Sequence, residues 1–65
     1  MNEIMKYHGI TQRGLIDYDE MTVTLRIYNT WIDTPMYKER FGTSNSEYYY
    51  IKINDVKIYI DDLYN

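Results

Sequence analysis

The stretch from Glu47 to Asp61, EYYYIKINDVKIYID, alternates with a period of two, and this limits what the chain can become. Such alternation marks strands with one buried and one solvated face. Asn54-Asp55 stands at its centre, and both residue types tolerate the positive φ of a two-residue hairpin turn. That turn sets the register. Ile53 faces Val56, Ile51 faces Ile58 and Tyr49 faces Ile60 on an aliphatic side. On the other side Lys52 meets Lys57, Tyr50 meets Tyr59 and Tyr48 meets Asp61.

A second hairpin is predicted over Leu15–Ile27, where Met21, Val23, Leu25 and Ile27 alternate with Thr22, Thr24, Arg26 and Tyr28. With a turn at Asp19-Glu20, Tyr18 faces Met21, Ile16 faces Val23, Asp17 faces Thr22 and Arg13 faces Arg26. A four-residue turn preserves the same parity. Residues 1–10 are read as a short strand, with a single helical turn capped by Asn2 and ended by Gly9 as the alternative. Residues 9–14 read as a loop, and 29–33 as a transition containing Trp31. Thr34-Pro35 is a helix-start signal and Gly42 a stop, so a two-turn helix is expected over 35–41, with Tyr37 and Phe41 on its docking face. A polar loop follows at 43–46. The last residues form a tail in which Leu63 can tuck under the sheet. The fold class is therefore mainly β within α+β: one small domain spanning 1–65, with two antiparallel hairpins, an N-terminal strand and one short connecting helix. Its sheet is able to curl into a half-open barrel.

Sixty-five residues bury only ~60% of the surface that the unfolded chain exposes, so stability is marginal without added support. The sequence has no Cys and one His, His8, which removes disulfides and leaves no expected metal or other cofactor. Association with a protein partner or with a second copy is the expected support, with a well-packed monomer as the alternative. The N-terminus has no signal-peptide pattern and no run approaches the ~20 apolar residues of a membrane span, so the expected setting is cytoplasmic, away from membranes. Ala is absent, whereas Ile, Tyr, Asn, Lys and Met, all with AT-rich codons, are plentiful. That usage fits a low-GC bacterium or its phage.

Seven basic against ten acidic residues give a formal charge of −3, which disfavours a nonspecific nucleic-acid binder. Nine Tyr stand against one Phe and one Trp. A buried Tyr must place its hydroxyl, so an excess of Tyr suits surfaces that meet a partner. The ordinary alternative is that Tyr favours exposed strand faces. Tyr48, Tyr50 and Tyr59 share the non-aliphatic face of the final hairpin, and Arg26 and Tyr28 extend it if the two hairpins pair edge to edge. Asp17, Asp19, Glu20 and Asp61 supply acidic patches that could dock on a basic surface or mimic phosphates, although solvated turn acids are more ordinary. Lys52 opposite Lys57 could bracket an anion, or both side chains could splay into water.

No nucleotide-binding, metalloprotease or EF-hand spacing occurs, there is no Cys nucleophile, and no Ser or Asp is placed near His8 by sequence, so no enzymatic activity is expected. The reading is a non-catalytic protein-binding module. It is of the inhibitor type that phages and mobile elements direct against host enzymes or defence nucleases, anti-CRISPR-like proteins among them. A single-stranded nucleic-acid binder using Tyr stacking with Arg13, Arg26, Lys52 and Lys57, and a structural subunit of a homo-oligomer, are the alternatives.

Overall fold

The computed structural model describes residues 2–43 and 45–64; Met1, Ser44 of the expected 43–46 loop and Asn65 of the tail lie outside it. Among the described residues the elements run α1 (Glu3–Tyr7), β1 (Ile10–Asp17), β2 (Thr22–Ile27), β3 (Thr30–Pro35), β4 (Tyr37–Arg40), β5 (Glu47–Ile53), β6 (Val56–Tyr59) and α2 (Ile60–Leu63). They form two three-stranded antiparallel sheets, β1-β2-β3 and β4-β5-β6. The fold is mainly β, as expected, and the sheets do not close into a barrel.

The final hairpin forms with the expected register: Ile53 opposite Val56, Lys52 opposite Lys57, Ile51 opposite Ile58 and Tyr50 opposite Tyr59. Asn54 and Asp55 have φ of 52° and 65°, the left-handed pair that matches the twist of a two-residue hairpin. The expected pairings of Tyr49 with Ile60 and Tyr48 with Asp61 do not form. The strand ends at Tyr59 and the chain turns into α2; on the opposite edge of β5, Tyr48 pairs with Glu39 and Tyr49 with Lys38.

The first hairpin pairs Ile16 with Val23 and Asp17 with Thr22 as expected, around a four-residue turn. Asp17 Oδ1 accepts from the backbone N–H groups of Asp19 (3.0 Å) and Glu20 (2.9 Å), which is why an Asp stands at the turn entrance. Tyr18 and Met21 lie in that turn. Beyond a bulge β1 slips, so Arg13 faces Leu25, and Gln12 rather than Arg13 faces Arg26. The bulge contains Gly14, where a Cβ would lie 2.6 Å from the Thr24 carbonyl oxygen. The loop expected over 9–14 is therefore mostly strand.

Two further expectations are overturned. The N-terminal strand is a helical turn: the Asn2 side chain accepts from the Met5 N–H at 2.8 Å, and only Met5 is buried. The helix over 35–41 is two strands. An N-cap and a strand residue are both extended, so Thr34-Pro35 fits either state, and here the strand pairing of Thr34 decides. Thr34 is a buried β3 residue opposite Val23. Thr30–Pro35 and Tyr37–Arg40 form one extended path that pivots at Met36, leaving the first sheet to enter the second. Met36 is buried and its N–H donates to the Met21 carbonyl at 2.8 Å.

Both sheets and both helices share one core. Ile10, Val23 and Leu25 come from the first sheet, Ile51, Ile53 and Ile58 from the second, with Met5, Met36, Ile60 and Leu63 sealing it. Leu63 is fully buried, so the tail is part of the core. Polar contacts fasten it: Arg13 donates to the Leu63 carbonyl at 3.0 Å, and the Tyr64 hydroxyl donates to the Gly14 carbonyl at 3.0 Å. Among the described residues no helix is long and apolar enough to cross a membrane.

Candidate interface on the outer face of the second sheet

With Ile51, Ile53 and Ile58 turned to the core, strand alternation turns Tyr48, Tyr50, Lys52, Lys57 and Tyr59 outward. β4 adds Tyr37 and Glu39 to the same face, and Phe41 follows directly. Tyr37, Tyr50 and Tyr59 are consecutive cross-strand partners. The rings of Tyr37 and Tyr50 stack at 5.4 Å, and Tyr50 meets Tyr59 edge-on at 6.1 Å. Phe41 and Tyr48 meet at 5.2 Å, and each packs against Tyr59 at 6.3 and 6.5 Å. Five aromatic rings thus form one continuous layer. Among the described residues no second layer covers it: Tyr37, Phe41 and Tyr48 retain 43%, 48% and 38% of their surface.

The two facing lysines part. Lys57 reaches across β5 to Glu39, with Nζ 2.7 Å from Oε2, and passes 4.6 Å from the centre of the Tyr50 ring. Lys52 leans over Tyr37 at 5.8 Å and has no carboxylate partner among the described residues. The Tyr59 hydroxyl donates to Glu39 Oε1 at 3.1 Å. The Lys57 hydrogen bond, more than any other contact, holds the Glu39 carboxyl below its ordinary value, and the same bond raises the Lys57 ammonium. Burial first, then Glu39, pushes the Tyr59 phenol up. Glu39 is thus a fixed anchor for the layer, not a free acid.

At one end of the face Phe41, Tyr48, Tyr59, Asp61 and Asp62 line a depression of about 260 Å³. The first turn of α2 brings Asp61 beside Tyr48 and Tyr59, so these three expected site residues do meet, although not by strand pairing. The other expected members are elsewhere. Asp17, Asp19 and Glu20 sit in the first hairpin's turn, and the Asp17 carboxylate is engaged by its own loop. Arg26 lies in the first sheet between Gln12 and Trp31, with its Nε buried and unpartnered. Tyr28, at φ 53°, covers Gly9 in the β2–β3 turn. The two hairpins do not pair edge to edge, because the chain spends β3 on one sheet and β4 on the other. Arg26 and Tyr28 therefore do not extend the Tyr face. Tyr37, Glu39 and Phe41 complete it instead, and their common parity in YKERF was the signal for it.

No protein-family model, curated protein or solved structure matches the chain.

Proposed function

We propose that the protein is a non-catalytic binding module that docks a protein partner through the outer face of its second sheet. The observation that carries this reading is the uncovered five-ring layer, held in place by Glu39. Aromatic side chains lose little conformational freedom on binding and dominate interface hot spots. These rings are already packed against one another, which lowers the ordering cost further. Asp61 and Asp62 at the margin, in a chain of net charge −3, favour a partner with a basic rim, such as a nucleic-acid-processing enzyme. Inhibition of such an enzyme, in the manner of small phage- or mobile-element-encoded inhibitors, is the class-level form of the proposal.

A second reading, single-stranded nucleic-acid binding, is favoured by one observation: Lys52 lies over Tyr37 free of any carboxylate partner among the described residues. The closer cation, Lys57, is neutralised by Glu39, and two carboxylates border the rings, so the protein partner is the better fit.

Site-directed photocrosslinking separates the readings. A benzoylphenylalanine at position 48 should yield protein adducts in a host lysate that the same group at Glu3 does not. Oligonucleotide adducts in place of protein adducts favour the second reading. Equal adducts from both positions contradict a specific face.

A further inference from the structure

The depression at the Phe41 end of the second sheet carries negative charge that the described part of the chain does not answer. Phe41, Tyr48 and Tyr59 wall it, and Asp61 and Asp62 complete its lining. The ring planes are inclined to one another by 62° (Phe41 and Tyr48), 52° (Phe41 and Tyr59) and 80° (Tyr48 and Tyr59), so they form a corner and not a flat surface. The carboxylates arrive because β6 stops at Tyr59 and α2 begins. Its first turn sets two consecutive acids beside the rings, while Ile60 and Leu63 go to the core.

Among the described residues neither carboxylate has an ion-pair or hydrogen-bond partner. Asn2 does bond Asp62, but at the backbone carbonyl. Three of the four bases of the second sheet are engaged, Lys57 by Glu39, and Lys38 and Arg40 by Glu47. The fourth, Lys52, lies over Tyr37. It is four residues along β5 from Tyr48, roughly 13 Å away. Three aromatic rings and two carboxylates thus converge on one volume, and both kinds of group attract positive charge.

Size and hydration choose the cation. A volume of about 260 Å³ suits one long side chain, because small-molecule pockets begin at ~300 Å³. The site is open, with Phe41, Tyr48 and both aspartates exposed. A Lys ammonium is compact and strongly hydrated, and gains little by leaving water for an open site. A guanidinium is weakly hydrated, stacks on an aromatic ring, and donates to carboxylates from its edge at the same time. We propose that the depression receives an arginine side chain of the protein partner, its guanidinium laid on the ring corner and its N–H groups donating to Asp61 and Asp62. This rests on the reading of the ring layer as a protein-docking face, and it names the chemistry of the anchor.

The test is an NMR titration of the full chain with a capped glycine–arginine–glycine peptide, beside its lysine and citrulline counterparts. Saturable shifts are expected at the Phe41, Tyr48 and Tyr59 rings and at the Asp61 and Asp62 carboxyl carbons. The lysine peptide should bind severalfold more weakly, and the neutral citrulline peptide tenfold or more. Asp61→Asn with Asp62→Asn should weaken arginine binding tenfold or more, with the amide spectrum of the fold retained. Phe41→Leu, which removes a ring and keeps the charge, should weaken it as well. The proposal is overturned by the absence of saturable shifts at tens of millimolar peptide, by equal binding of the lysine or citrulline peptide, or by equal binding to either variant. Specific protein adducts at position 48 with a silent titration would overturn the arginine site alone. Equal adducts from positions 48 and 3 would overturn the docking face and this proposal with it.

Discussion

The Glu39 carboxylate and the Lys57 ammonium lie 2.7 Å apart although all of β5 separates their backbones. Lys57 spans that gap along the Tyr50 ring, so one ion pair, one ring face and the Tyr59 hydroxyl act as a single clasp. The clasp explains how two lysines can face each other in the β5–β6 ladder: one of them is held elsewhere.

The clasp gives the fold a pH dependence of known sign. Glu39 has a lowered folded-state pKa, so its contribution is present above the ordinary carboxylate value and is lost as pH falls through the folded value. Lys57 and Tyr59 have raised values, so their contribution is present below about pH 10 and is lost as pH climbs through the folded values. The urea midpoint should decline on both limbs. In Glu39→Gln the acid limb should shrink; an unchanged acid limb would show that Glu39 is not linked to folding.

Core truncation should separate buried from exposed positions sharply. Ile51 and Leu63 are fully buried, and replacing either by Ala should lower stability by ~2–5 kcal/mol. Leu15 is 83% exposed, and Leu15→Ala should stay within ~0.5 kcal/mol of the parent. Chemical denaturation of the three variants checks the order.

Two glycines at positive φ differ in surroundings. A Cβ at Gly9 (φ 72°) would lie 2.5 Å from Tyr28 Cζ, whereas at Gly42 (φ 59°) it would meet nothing within 4 Å. Gly42→Ala should cost only the left-handed backbone penalty, about 1–2 kcal/mol. Gly9→Ala should cost clearly more, because the Tyr28 ring must also move. Equal losses in thermal or urea unfolding would mean that the ring yields freely.

The β5–β6 turn is open to improvement. Asp55 holds φ 65° at a position where Gly is the preferred residue. Asp55→Gly should raise stability by on the order of 0.5 kcal/mol, the relief of strain being partly offset by a more flexible unfolded chain. A lower urea midpoint would contradict the assigned turn.

Strand period and turn chemistry made the final hairpin legible, down to the pairing of Tyr50 with Tyr59. The same parity placed Tyr48, Tyr50 and Tyr59 on one face. What misled was local punctuation. Thr34-Pro35 reads as a helix start, yet Ile32, Thr34 and Met36 alternate with Trp31, Asp33, Pro35 and Tyr37 through it, and proline also ends edge strands. Asn2 read correctly as a cap only in the alternative set aside for the N-terminus. The pivot at Met36 was not legible, because sheet membership depends on long-range packing that no local pattern encodes. Hence local pattern alone puts Arg26 and Tyr28 beside the Tyr face, and Tyr37 and Phe41 on a helix that docks on the sheet.

The central claim is that the five-ring layer is a binding surface. Its most direct test is the double variant Tyr37→Ala with Tyr48→Ala, measured for urea midpoint and for the proteins it retains from a bacterial cell lysate beside the parent chain. Both residues keep more than a third of their surface, so the midpoint should stay near that of the parent. Loss of one or more retained proteins by ~30-fold in affinity, about 2 kcal/mol, is the expected result. An unchanged set of retained proteins at an unchanged midpoint would contradict the claim, and these tyrosines would then be ordinary strand surface.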